Sequence, residues 1–189
     1  MKKILTLLAL VGTLSSCVNY NQENLNLNLS VDSKFNDFGK NQNVDLSVVD
    51  GRSNIESIGD KRLGKDLINI KSTQNLTVLI KNKIARDLEQ NGFLINNNTD
   101  KSLEIKILTL NYSAYREFFI GSSKIEILLK ITALNGNKSS YSTTQNFSLS
   151  QKHFIMPLIT TDEKTINKAL QESLDGVIAN QKLLNFLKN

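Results

Sequence analysis

The stretch from Lys124 to Leu149 leaves this chain the least freedom. In KIEILLKITAL, Ile125, Ile127, Leu129, Ile131 and Ala133 recur at every second position. That period belongs to a strand with one buried face. Asn135-Gly136 follows, the dipeptide best suited to a tight hairpin turn because both residues tolerate positive φ. Tyr141, Thr143, Gln145, Phe147 and Leu149 then resume the alternation. A third segment, SLEIKILTLNY over 102–112, starts with Leu103, Ile105 and Ile107 and switches to Leu108, Leu110 and Tyr112. The switch predicts either a β-bulge or a strand buried on both faces. Residues 102–150 are thus expected to form an antiparallel meander.

Elsewhere the period changes. Leu76, Leu79, Ile80, Ile84 and Leu88 share one helical face, with Ser72 or Thr73 as the expected N-cap and Asn91-Gly92 as the stop. The spacing predicts a helix over 73–90. Thr160 and Glu163 have capping-box spacing, and Ile166, Leu170, Leu174, Val177 and Ile178 mark a second helix that breaks near Asn180 and runs on to Leu187. Before the first helix, Leu25, Leu27, Leu29 and Val31 alternate as a strand, and VDLSVVD (44–50) and residues 66–70 read as two more. The stretch GRSNIESIGDKRLGK, with its glycines, reads as an irregular connection. The expected order is β-β-β-α-β-β-β-α. Helices with one apolar stripe need a sheet face to cover, so the expected fold is α+β: one antiparallel or mixed sheet with two helices packed on one face, a single domain over 25–189.

The N-terminus carries a different kind of information. MKKILTLLALVGTLSSC has a basic start at Lys2 and Lys3, an apolar run from Ile4 to Val11, and small residues before Cys17. The run falls short of the ~20 residues that span a bilayer and has the form of an export signal. Leu14-Ser15-Ser16-Cys17 resembles the bacterial lipobox. The small side chains give a peptidase access to the bond between Ser16 and Cys17, and the Cys17 thiolate can take a diacylglyceryl group as a thioether. An ordinary signal peptide would leave the chain's one cysteine as an unexplained lone thiol in an exported protein. The expected division is a signal over 1–16, a lipidated tether over 17–24, then the domain. Two or three acyl chains, each CH₂ worth about 0.8 kcal/mol, hold a protein on a bilayer stably where one does not. The expected partner is therefore the membrane, through lipid on Cys17.

The remaining chemistry argues against catalysis. His153 is the only histidine, no Gly-x-Ser-x-Gly stands near it, and a zinc site needs several His or Cys ligands. The glycines and bases of Ile58–Lys65 lack the spacing of a phosphate-binding loop. Asp50-Gly51-Arg52 reads as a carboxylate–guanidinium corner or as a plain turn with solvated charges. Lys+Arg number 23 against 18 Asp+Glu, and without Lys2 and Lys3 the balance falls to +3. The charges are interspersed, with none of the basic striping of a nucleic-acid binder. No cofactor, metal or catalytic residue is expected. Two aromatic stretches stand out: Tyr112, Tyr115, Phe118, Phe119 and Ile120, and Phe154–Ile159. Each reads either as core or as contact with an envelope protein partner, in which case Phe118, Phe119, Phe154 and Ile155 are the candidate contacts.

Together these pieces resemble the YajG family of bacterial lipoproteins. The features are Cys17 after its leader, the early alternating strand, Val49-Asp50-Gly51-Arg52 with Ile58-Gly59 downstream, and Leu76–Leu88 running into Asn91-Gly92-Phe93. Leu103–Tyr112, Leu134–Lys138 and the closing helix Ile166–Ile178 complete the match. The resemblance implies an exported α+β lipoprotein with no catalytic residues to carry over. Resemblance to enterobacteria-like lipoprotein sorting, in which aspartate after the acceptor cysteine retains a lipoprotein at the inner membrane, implies the outer membrane here, because Val18 follows Cys17. Phe154–Ile159 is more hydrophobic than the family pattern at that point. The role expected is binding or envelope maintenance, with an accessory part in an envelope transport or secretion complex as the alternative.

Overall fold

The computed structural model describes residues 22–31, 37–97, 99–117, 120–136, 139–154 and 157–189. Four strands, β1 (Gln22–Leu25), β2 (Asn43–Asp50), β3 (Gly59–Leu63) and β4 (Asp66–Ser72), precede helix α1 (Leu76–Gln90). Then come β5 (Leu94–Ile95), β6 (Lys101–Glu117), β7 (Ile120–Asn135), β8 (Ser139–His153), and helices α2 (Ile159–Ile178) and α3 (Gln181–Lys188). The class is α+β, as the patterning implies.

β6 is the spine of a mixed sheet. β7 pairs antiparallel along its whole length, and β8 pairs antiparallel with β7. A strand of 17 residues is ~55 Å long at ~3.3 Å per residue, far longer than β2 or β3. Its other edge is therefore shared. β2 lies parallel to residues 102–107 and β3 parallel to residues 112–115. The connection 51–58 loops out between them and returns to the same edge, its ends tied by Gly51 N–H to Ile107 O and Tyr112 N–H to Ile58 O. β4 and then β1 extend the sheet beyond β3.

The switch in alternation is a bulge. Ile107 faces Leu129 and Thr109 faces Leu128, so Leu108 has no partner. The extra residue brings Leu103, Ile105 and Ile107, and then Leu110, Tyr112 and Ala114, onto one buried face. On that face lie Ile80, Ile84 and Leu88 of α1, Ile166, Leu170, Leu174 and Val177 of α2, and Leu183, Leu184 and Leu187 of α3.

Local expectations are corrected in several places. Asn75, not Ser72 or Thr73, caps α1, accepting from Thr77 and Val78 N–H at 3.0 and 3.2 Å. Thr73 instead bonds Leu25 O through both its N–H and its hydroxyl. The Thr160–Glu163 capping box does not form: Leu158 is the N-cap, with no side-chain cap bond, and the Glu163 carboxylate accepts from Asn26 N–H at 2.8 Å. Asn180 caps α3, so the expected break is a cap between two helices. The first strand occupies 22–25 rather than starting at Leu25, so Gln22 to Asn24 belong to the sheet and not to a tether. Residues 26–31 carry the alternation outside any ladder, with Leu27 and Leu29 buried. Their backbone N–H groups are taken by side chains, Gln74 for Leu27 and Asn167 for Asn28. β3 lies inside the stretch expected to be irregular.

Candidate functional site

Where β1, β3, β6 and α2 meet, the fold buries a set of polar groups. Lys61 points from β3 into the helix-covered face and is 4% exposed. Its ammonium donates to Asp162 Oδ2 at 2.6 Å and to Glu23 at 3.1 Å. The Tyr112 hydroxyl donates to the other oxygen of Asp162. Asp162, in the first turn of α2, is fully buried. Burial pushes the Asp162 carboxyl up, against the pull of Lys61 and Tyr112. Burial first, then the bond to Asp162, pushes the Tyr112 phenol far above its ordinary value, so Tyr112 is a fixed donor. In the row of Lys61, across Ala114, Ser123 Oγ and His153 Nε2 lie 2.9 Å apart. These groups satisfy one another. Their effect is mechanical: Glu23 and Lys61 rivet the N-terminal strand to the core.

A second buried cation sits between α1 and α2. Lys83, 1% exposed, donates to Asp87 at 2.5 Å and to Asp175 at 2.8 Å. Asp87 Oδ1 is buried and takes no hydrogen bond among the described residues. Burial pushes the Asp87 carboxyl up despite Lys83. Asp87 and Asp175 line a cleft of about 390 Å³ with Asn91 and Gln181. The two carboxylates share the one Lys83 ammonium there.

Of the two readings of Asp50-Gly51-Arg52, the carboxylate–guanidinium corner is the one that forms. Arg52 takes Asp50 in a two-pronged pair at 2.9 and 2.8 Å and donates to Ser57 O and Ile55 O. The guanidinium is spent on closing loop 51–58. Burial raises the Asp50 carboxyl, but the bonds and charge of Arg52 outweigh it and hold it below its ordinary value. Gly59 is needed at the loop's return, because a Cβ there would lie 1.8 Å from Tyr112 O.

The aromatic stretches divide. Tyr112 is core, fully buried. In the second stretch Phe154 is 94% exposed, Leu158 70% and Ile159 40%, while Pro157 is buried. Phe118, Phe119 and Ile155 lie outside the described residues, as do Ser16 and Cys17. The register places four more exposed apolar groups at one end of the sheet. Ile120 faces Glu117 at the β6–β7 turn, Tyr115 is two residues from it, and Leu63 and Leu67 flank the β3–β4 turn at the same end. β8 ends there at His153, with Phe154 the next residue. The sequence marked the stretches that hold Tyr115, Ile120 and Phe154–Ile159 but gave no sign that they meet Leu63 and Leu67 at one end. Among the described residues no helix is long and apolar enough to cross a membrane.

A family model described as an uncharacterized lipoprotein matches residues 30–188. Among curated proteins none matches. The fold is similar to that of a solved Xanthomonas campestris protein, with 11% identity, a TM-score of 0.55, and coverage of 87% of this chain and 96% of the other. It is similar also to a neuraminyllactose-binding hemagglutinin homolog of Helicobacter pylori, with 8% identity, a TM-score of 0.53, and coverage of 85% and 97%. At these identities the likeness is one of fold.

Proposed function

We propose a function from one premise: the chain belongs to the family of bacterial lipoproteins whose model it matches over residues 30–188. The reading is a YajG-like lipoprotein held on the outer membrane by diacylglyceryl on Cys17, with a periplasmic domain that binds or maintains envelope components rather than catalysing a reaction. The observation that carries it is the position of β1. The sheet begins at Gln22, five residues after Cys17, and Glu23 is locked to buried Lys61. A lipid on Cys17 would thus hold a rigid domain close to the bilayer. The non-catalytic part is supported by the commitment of Lys61, Asp162 and Tyr112 to one another. The outer membrane is favoured by Val18.

The test is metabolic labelling with an alkyne fatty acid, followed by mass analysis and density fractionation. The wild-type chain is expected to carry label on Cys17 and to fractionate with the outer membrane. Cys17→Ser is expected to remain an unlabelled precursor. A processed, unlabelled Cys17→Ser protein that fractionates like wild type would sink the anchor. Sedimentation with the inner membrane would remove the location. A second reading, an accessory lipoprotein of an envelope transport complex, is favoured by the exposure of Phe154.

A further inference from the structure

We propose that the end of the sheet at the β6–β7 turn docks on the lipid bilayer itself, seating Phe154, Leu158 and Ile120 among the headgroups. This rests on the anchor at Cys17 and adds which surface meets the lipid and through which side chains.

The first support is placement. Among the described residues twelve large apolar side chains are exposed, and seven of them lie at this end. Phe154 at 94% and Leu158 at 70% are the most exposed of the twelve. Single exposed apolar residues need no explanation, but a gathered set marks an interaction surface.

The second support is reach. From Cys17 to Gln22 the chain can extend at most ~18 Å. Gln22 pairs with Asn69, Asn69 with Asp60, Asp60 with Ser113, and Ser113 with Lys124. From that row β6 continues for four residues to Glu117 and extends twelve residues the other way to Lys101. At ~3.3 Å per residue these are ~13 Å and ~40 Å. An acyl anchor on Cys17 can lie beyond the turn end and cannot lie beyond the opposite end. The Glu23–Lys61 bond keeps β1 from peeling away to lengthen the tether.

The third support is chemistry. An apolar and aromatic tip with Tyr115 beside it suits the interface, where ring bodies contact acyl chains and polar tips meet headgroups. Arg62, Lys65 and Lys152 are exposed at the same end, with Asp66 among them. Such cations suit anionic headgroups.

The experiment uses the full-length acylated protein in vesicles of phosphatidylethanolamine and phosphatidylglycerol. Acylation blocks the only native thiol, so a cysteine introduced as Leu158→Cys, or as Ser140→Cys at the far end, reports alone. Each is labelled with an environment-sensitive fluorophore and challenged with brominated lipid. Strong quenching and a blue shift at position 158, with neither at 140, is the expected result. Adding Phe154→Asp and Ile120→Asp to the Leu158→Cys protein should abolish the quenching while the thermal unfolding curve holds, since these side chains are on the surface. Equal quenching at both positions, or none at either, in protein whose mass shows acylated Cys17 overturns the docking and leaves the anchor standing. Protection of position 158 in native membranes but not in vesicles assigns the surface to a protein and also overturns it. Protein that is not acylated at all removes the anchor, and the docking with it.

Discussion

Lys61→Met tests the physics of the buried cluster most directly. The substitution keeps an unbranched side chain in the space of the lysine stem and removes the charge. It strands Asp162, which is fully buried and loses its 2.6 Å partner. Glu23, at the edge, can turn to water. Removing one partner of a buried ion pair costs about 3–5 kcal/mol. At ~2–4 °C per kcal/mol for a chain of this size, Tm should fall by ~6–20 °C. The sign of the pH dependence adds a second constraint. Asp162 has its carboxyl raised by burial, so the stability tied to its protonation is fully present below the ordinary aspartate value of 3.8. That stability is lost as pH rises through the folded value. Without Lys61 the carboxyl is pushed higher still and the loss deepens. Urea unfolding followed by circular dichroism should therefore show a deficit against wild type that is large at pH 7 and shrinks towards pH 4. Lys61→Met with Asp162→Asn should recover much of the loss, because no fully buried charge is left behind and Glu23 can turn to water. A cost below about 1 kcal/mol at pH 7, the range of surface pairs, or a deficit independent of pH would refute the reasoning.

Other outcomes follow from the same geometry. Gly59→Ala drives a Cβ into Tyr112 O, so it should cost at least the ~1–3 kcal/mol of an overpacked core, measurable as a drop in the urea midpoint. Arg52→Ala removes the bonds that close 51–58, and limited proteolysis should then cut that loop first. The same variant tests Asp50. Its carboxyl is lowered, so the stability it lends is present above 3.8 and lost as pH falls through the folded value; Arg52→Ala should remove that acid-side loss.

The legible parts of the fold are those whose cause is local in sequence. The bulge at Leu108 shows because an inserted residue shifts the period of β6. The turn after Asn135, the amphipathic stripe of α1 and the Asp50–Arg52 corner each depend on residues a few positions apart. β3 escapes such reading. Its sequence, GDKRL, has no apolar alternation, and it is a strand because β6 and β4 flank it. Leu25, Leu27 and Leu29 reveal half-burial correctly, yet only the first lies in a ladder. Side-chain period reports which face is covered and is silent on which backbone is alongside. The Thr160–Glu163 box fails for a related reason: Glu163 finds a backbone donor on a distant segment instead of on its own helix.

The candidate surface divides the same way. The amino-acid order alone carries the expectation of an apolar leader ending at Cys17, and it determines the α+β class of the domain. Covalent chemistry and local periodicity need no tertiary context. Only the folded chain decides that Phe154, Leu158, Ile120, Tyr115, Leu63 and Leu67 collect at one end, and that this is the end from which Gln22 can reach Cys17. A shared edge is a property of strand register, and register is settled by contacts between residues far apart in sequence.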